Sequence, residues 1–248
     1  KGVPQDYKTA MKWYRLAAEQ GYDLAQHSLG EMYIDGKGVP QNHKTAVKWY
    51  KLAAKQGNAE SQYNLGTMYD KGKGVPQDHK TALKWYRLAA EQGDADAQYN
   101  LGQMYRKGDG VPQNYKTAVK WYRLAAEQGN ASAQSNLGQM YHQGKGVSQD
   151  YKTALKWYRL AAKQGHASAQ FNLGVMYGKG QGVSQDYKTA LKWYRLASEQ
   201  GDTHMWVNIA ASIGGKDSDR VSDFVEKKMT PAQIAEAQKL ARECVRKK

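Results

Sequence analysis

A fixed period of 36 residues constrains this chain more than anything else in it. Gly-Val recurs at Gly2, Gly38, Gly74, Gly110, Gly146 and Gly182 without a slip, and Trp-Tyr keeps the same spacing from Trp13 through Trp49, Trp85, Trp121 and Trp157 to Trp193. Self-similarity at such a period marks a stacked array, in which each unit buries its apolar face against its neighbours. The 248 residues therefore need no single large core. The sequence is read first as a solenoid, and function must lie on its surfaces.

Each period carries two helical patterns. Asp94 predicts the N-cap of a first helix, A, running to about Arg106, with Ala97, Leu101, Met104 and Tyr105 on one stripe. Gly108 and Gly110 break it, and Val111-Pro112-Gln113 leads in extended form to a second cap at Asn114. Helix B is expected from Tyr115 to about Gln128, with Tyr115, Ala118, Val119, Tyr122, Ala125 and Ala126 on one face and Gly129 as the stop. Gly30, Gly66, Gly102, Gly138 and Gly174 fall inside every A helix, where glycine costs about 1 kcal/mol relative to alanine. Close approach of a neighbouring helix, under a Trp or Tyr ring, would repay that cost. The Ala-Ala pairs from Ala17-Ala18 to Ala161-Ala162 keep B thin where it meets the next unit.

Leu-Gly-x-x-Tyr, then Gly-x-Gly-Val, then Lys-x-Ala-x-x-Trp-Tyr-x-x-Ala-Ala-x-x-Gly resembles the Sel-1-like repeat, a relative of the tetratricopeptide repeat, over residues 1 to about 201. The resemblance implies an all-α, right-handed superhelix of antiparallel helix pairs with A helices lining a concave face. It also implies adaptor or scaffold roles in signalling, secretion or envelope assembly, and it favours a periplasmic or secreted location. Residues 1–201 are read as one partial unit plus five full ones, and 202–248 as a degenerate unit and C-terminal cap. In that cap Thr230-Pro231-Ala232-Gln233 forms a capping box. Met-Thr-Pro-x-Gln-Ile-Ala endings resemble bacterial members. Because the chain opens at Lys1 inside a repeat, it is expected to be a fragment or mature product. Tetratricopeptide clamps for a terminal carboxylate place Asn directly after the A-helix glycine. Here Glu31, Thr67, Gln103, Gln139 and Val175 stand there, so that specificity is not carried over.

Catalysis finds no support in the residue pattern. The single cysteine, Cys244, sits on an apolar stripe of the cap and excludes an intramolecular disulfide. His43 and His79 occupy the first helical position that is Tyr7, Tyr115, Tyr151 and Tyr187 elsewhere, and read as substitutions at a structural site. His166 and His204 fall at helix starts and are expected to be exposed. No histidines or cysteines have metal-ligand spacing, and the Gly-x-Gly-Val loops follow a helix where a phosphate loop would follow a strand. No cofactor is expected. No run of 18 apolar residues exists to span a membrane.

Two surfaces remain. The B helices carry a basic stripe at i, i+4 and i+7, represented by Lys80, Lys84, Arg87 and by Lys116, Lys120, Arg123, which holds 18 of the 37 Lys and Arg residues. With a net charge of +14, this stripe is either a solvated face or a non-specific, salt-sensitive site for nucleic acid, lipid head groups or acidic polysaccharide. The other surface comes from comparing units. Positions alike in every unit build the stack, and those that differ are read as free of it. The differing sets are His27, Tyr63, Tyr99, Ser135, Phe171; then Glu31, Thr67, Gln103, Gln139, Val175; then Ile34, Asp70, Arg106, His142, Gly178. Tyr63, Tyr99 and Phe171 place rings on a face with no evident core to fill, as interface anchors would be. The leading expectation is a monomeric, non-enzymatic scaffold that holds a peptide or protein segment in its concave groove.

Overall fold

A computed structural model describes residues 6–198 as eleven α-helices, with no strand among the described residues. The B helices are α1 (Tyr7–Glu19), α3 (His43–Lys55), α5 (His79–Glu91), α7 (Tyr115–Glu127), α9 (Tyr151–Lys163) and α11 (Tyr187–Ser198). Between them lie the A helices α2 (Asp23–Asp35), α4 (Ala59–Lys71), α6 (Ala95–Lys107), α8 (Ala131–Gln143) and α10 (Ala167–Lys179). The chain forms two compact units, 1–130 and 131–248. In the first, α2 packs on α3, α4 on α5 and α6 on α7, and α1–α2, α3–α4 and α5–α6 join those pairs. In the second, α8 packs on α9, α9 on α10 and α10 on α11. The all-α repeat of helix pairs is thus as the period predicts. The cap at 202–248, with Cys244 and His204, lies outside the described residues.

Caps place the helix starts. Asp94 Oδ1 accepts from Ala97 N at 2.7 Å to open α6, and Asn114 Oδ1 accepts from Thr117 N at 2.9 Å to open α7. Asp78 does more at the start of α5: its Oδ1 accepts from Thr81 N at 3.1 Å and its Oδ2 from Thr81 Oγ1 at 2.6 Å. The Thr81 hydroxyl, then its amide, holds the Asp78 carboxyl below its ordinary value of 3.8. Because the folded pKa is depressed, the cap contributes stability above the unfolded value and loses it as pH falls below. Asn42 and Asn114 cap the equivalent helices without titrating. Asp78→Asn should therefore shrink the fall in urea-unfolding midpoint between neutral pH and about pH 3; an unchanged fall would contradict the role of this cap.

The loop after helix A is a fixed structure. Gly108, in the left-handed region at φ 88°, donates its N–H to Met104 O at 2.8 Å. Gln113 Nε2 then caps Arg106 O at 2.8 Å, and Asn114 N bonds Tyr105 O at 2.8 Å. Gly110 has φ 68°, and a Cβ there would stand 2.6 Å from the carbonyl carbon and oxygen of His79 in the unit before. Gly110 therefore seats one unit's loop on the first turn of the preceding B helix, while Gly108 closes helix A in the left-handed conformation.

The core repeats one arrangement. Tyr50, Tyr86 and Tyr122 in the first unit, and Tyr158 and Tyr194 in the second, are buried beneath the A-helix glycines. A Cβ on Gly102 would lie 2.7 Å from Cδ1 and Cε1 of Tyr122. The expected close approach is thus found, and the ring is the Tyr of Trp-Tyr. A second device is a buried glutamine. Gln98 donates from Nε2 to Ala90 O at 3.1 Å, and its Oε1 accepts from Gln128 Nε2 at 2.8 Å. Gln26 and Gln62 are bonded in the same way. Gln98→Leu should cost about 1 kcal/mol or somewhat more in chemical unfolding, because it removes both bonds and leaves Ala90 O only the N–H of Gly93 at 3.1 Å. A neutral result would show that water replaces the bond.

Candidate partner-binding face

Tyr63 and Tyr99 stand on α4 and α6 of the first unit, each half-buried. The Tyr63 ring centroid lies 5.9 Å from Tyr86 and that of Tyr99 lies 6.1 Å from Tyr122, both tilted contacts. In the second unit Phe171 meets Tyr194 at 5.6 Å. The expectation of a face with no core to fill is corrected here: these rings rest against the buried tyrosine of the next B helix and are only partly exposed. Burial raises the pKa of the Tyr63 hydroxyl. His27 is corrected further. It is only 7% exposed, stacks 5.6 Å from Tyr50, shares a hydrogen bond between Nδ1 and Ser61 Oγ at 2.9 Å, and places Nε2 3.2 Å from Glu60 and 3.6 Å from Glu31. Ser135 is buried as well.

The second set is only partly free of the stack. Thr67 Oγ1 lies 3.1 Å from the Tyr86 hydroxyl, and Gln103 Oε1 accepts from the Tyr122 hydroxyl at 2.7 Å. A buried phenol needs a polar partner, and this position supplies one. Burial drives the pKa of the Tyr122 hydroxyl upward, partly offset by the charge of Arg106 and a bond from it. Glu31 is exposed and Gln139 half-buried.

In the third set, Asp70 Oδ1 lies 2.9 Å from His79 Nδ1. Thirty-six residues earlier, Ile34 stands where Asp70 does and His43 where His79 does, and the buried His43 Nδ1 has no hydrogen-bond partner. The pairing of these two positions, nine apart in sequence, was legible within the chain and is missed when each is read alone. Arg106 donates from Nε to Gln103 Oε1 at 2.8 Å. In the second unit His142 Nε2 lies 3.0 Å from Gln181 Oε1, with its ring 5.2 Å from Tyr151. His166, expected to be exposed, is half-buried as the N-cap of α10; desolvation lowers its pKa, and Nδ1 accepts from Ala169 N at 3.3 Å.

Along the B helices Lys80, Lys84, Lys116 and Lys120 are exposed, as are Arg87 and Arg123. Arg87 is also a strut, donating from Nη2 to the Tyr105 hydroxyl at 2.9 Å; Arg15 and Arg159 reach Tyr33 and Tyr177 likewise. A 370 Å³ cavity between α1 and α2 has Tyr14 on its wall. Tyr14 is 41% exposed where its counterpart Tyr50 is 3% exposed, because α2 covers Tyr50 and no described helix covers Tyr14. Among the described residues no group of three His, Cys, Asp or Glu could hold a metal, and no helix is long and apolar enough to cross a membrane.

Paired helices at a fixed period define a helical-repeat protein. The Sel1 repeat profile matches residues 1–22, 23–58, 59–94, 95–130, 131–166 and 167–202. The chain belongs to the Sel1 repeat family, whose members are generally non-catalytic scaffolds for protein–protein interaction. Among solved structures it is similar to c5321, a protective antigen of uropathogenic Escherichia coli strains displaying an SLR fold. That similarity is 38% identity over 98% of this chain and 50% of the other, with a TM-score of 0.81. It is also similar to a Sel1 repeat protein from Oxalobacter formigenes, at 34% identity over 91% of this chain and 94% of that one, TM-score 0.78. The chain spans about half the length of the Escherichia coli antigen. No curated protein sequence matches it. Bacterial origin is consistent with these neighbours.

Proposed function

We propose that this chain is a non-enzymatic scaffold that binds an extended peptide or protein segment on the A-helix face of its first unit, across Tyr63, Thr67, Asp70, Tyr99, Gln103 and Arg106. In the second unit Gln139, His142 and Phe171 are proposed as a separate set of contacts. The observation that carries the reading is the pair of half-exposed tyrosines, each held in place by a buried ring beneath it. Rings already fixed lose little entropy on binding and suit the role of anchors. The test is selection of binders from random peptides displayed through fused C termini, repeated on a Tyr63→Ser/Tyr99→Ser variant. Serine at the equivalent position 135 of this same chain shows that the stack accepts it. Selected peptides should lose at least about tenfold in affinity, the equivalent of 1.4 kcal/mol; equal binding to both proteins would end the reading.

A second reading rests on the exposed lysines of α5 and α7, none of which has a carboxylate within 4.0 Å among the described residues. Lys80, Lys84, Lys116 and Lys120, with Arg87 and Arg123, would then bind a polyanion. Affinity for a DNA oligomer or heparin should fall steeply with salt, and no binding at low salt would dispose of it.

A further inference from the structure

We infer that Arg106 sets the specificity of the first unit's A-helix face by pairing with an Asp or Glu side chain inside the bound segment. The inference rests on the peptide-binding reading above. Arg106 is half-buried, and its Nε is committed to Gln103 Oε1 at 2.8 Å. The same oxygen accepts a hydrogen bond from the Tyr122 hydroxyl at 2.7 Å, while Gln103 Nε2 donates to the Tyr99 hydroxyl at 2.9 Å. Tyr122 is fully buried, so this network ties the guanidinium to the core. Five N–H donors exceed those uses, and the terminal nitrogens keep the fork that suits a carboxylate.

Arg106 has no countercharge among the described residues. Among the described residues no carboxylate lies within 4.0 Å of it, whereas Asp70 is taken up by His79 and Glu31 lies 3.6 Å from His27. A cation oriented in advance and left unpaired beside a half-exposed tyrosine fits a single negative charge next to an apolar residue. A phosphate dianion fits worse, because the same position one repeat earlier is the acidic Asp70. Gln103 is the positioning residue: it holds the guanidinium plane without meeting the ligand's charge.

The same displayed library tests this, because fused peptides carry no terminal carboxylate. Peptides selected on the native chain should be enriched in Asp or Glu at one register. Arg106→Gln should abolish that enrichment and weaken individual binders by about tenfold. Arg106→Glu should select Lys or Arg at the same register, a reversal that a purely structural role could not produce. Gln103→Leu should weaken acidic binders severalfold while leaving the preference acidic. Binders that depend on Tyr63 and Tyr99 yet show no acidic preference, or an unaltered preference with Arg106→Gln, would overturn the inference and leave the peptide-binding reading standing. Binding gained only by free peptides ending in a carboxylate, and not by their amides, would overturn the side-chain assignment. The absence of any binder dependent on the two tyrosines would remove both.

Discussion

Tyr86→Ala should lower the stability of the array by about 3–5 kcal/mol, the range for deleting a large buried aromatic. The ring is 1% exposed, lies against the backbone of Gly66, supports the Tyr63 ring at 5.9 Å and places its hydroxyl 3.1 Å from Thr67. Its loss opens a cavity between α4 and α5 that Gly66, lacking a side chain, does nothing to fill. Repeat stability is a sum of unit and interface contributions, so the loss should show as an earlier or split transition in urea unfolding followed by circular dichroism. Tyr86→Phe removes only the hydroxyl and should cost about 1 kcal/mol. A shift below about 1 kcal/mol for Tyr86→Ala would mean that this ring does not hold the two helices together.

Much of this arrangement was legible in the sequence because a repeat is its own control. Asp94 and Asn114 cap helices as their residue type and position predict, and the stripe of Ala97, Leu101 and Met104 is buried. Gly102 announced a close neighbour, since an interior helical glycine needs a reason. Read alone, it leaves its partner ring open between Trp121 and Tyr122, although the apolar stripe of helix B already carries Tyr122 with Ala118 and Ala125 and leaves Trp121 about 100° away. The candidate face was less legible. Variation between units was read as freedom from the stack, yet Thr67 and Gln103 vary while both serve the buried tyrosine hydroxyl, since either side chain meets the same need. His27 shows the same limit: it stands in the register of Tyr63 and Tyr99, but Ser61 and Glu60 on the next A helix close over it. Variation marks a position that tolerates several solutions, and some of those solutions face inward.

The pairing of glycine with tyrosine makes a prediction whose sign depends on its background. In an exposed helix, Gly102→Ala would stabilise by about 1 kcal/mol through propensity alone. Here the new Cβ would stand 2.7 Å from Tyr122 Cδ1 and Cε1, roughly 1 Å inside the ordinary carbon–carbon separation. The Tyr122 hydroxyl is bonded to Gln103 at its far end, so the ring resists sliding away, and overpacking of this kind costs about 1–3 kcal/mol. The net expectation is a loss of up to about 2 kcal/mol. Combined with Tyr122→Leu, which removes the ring atoms in the way, the same Gly102→Ala change should instead raise the unfolding midpoint relative to Tyr122→Leu alone. The double-mutant cycle should then give a coupling of about 2 kcal/mol between two residues that form no hydrogen bond. If Gly102→Ala stabilises the native background as well, the ring yields to a methyl group, and the recurrence of glycine at this position must have a cause other than the contact.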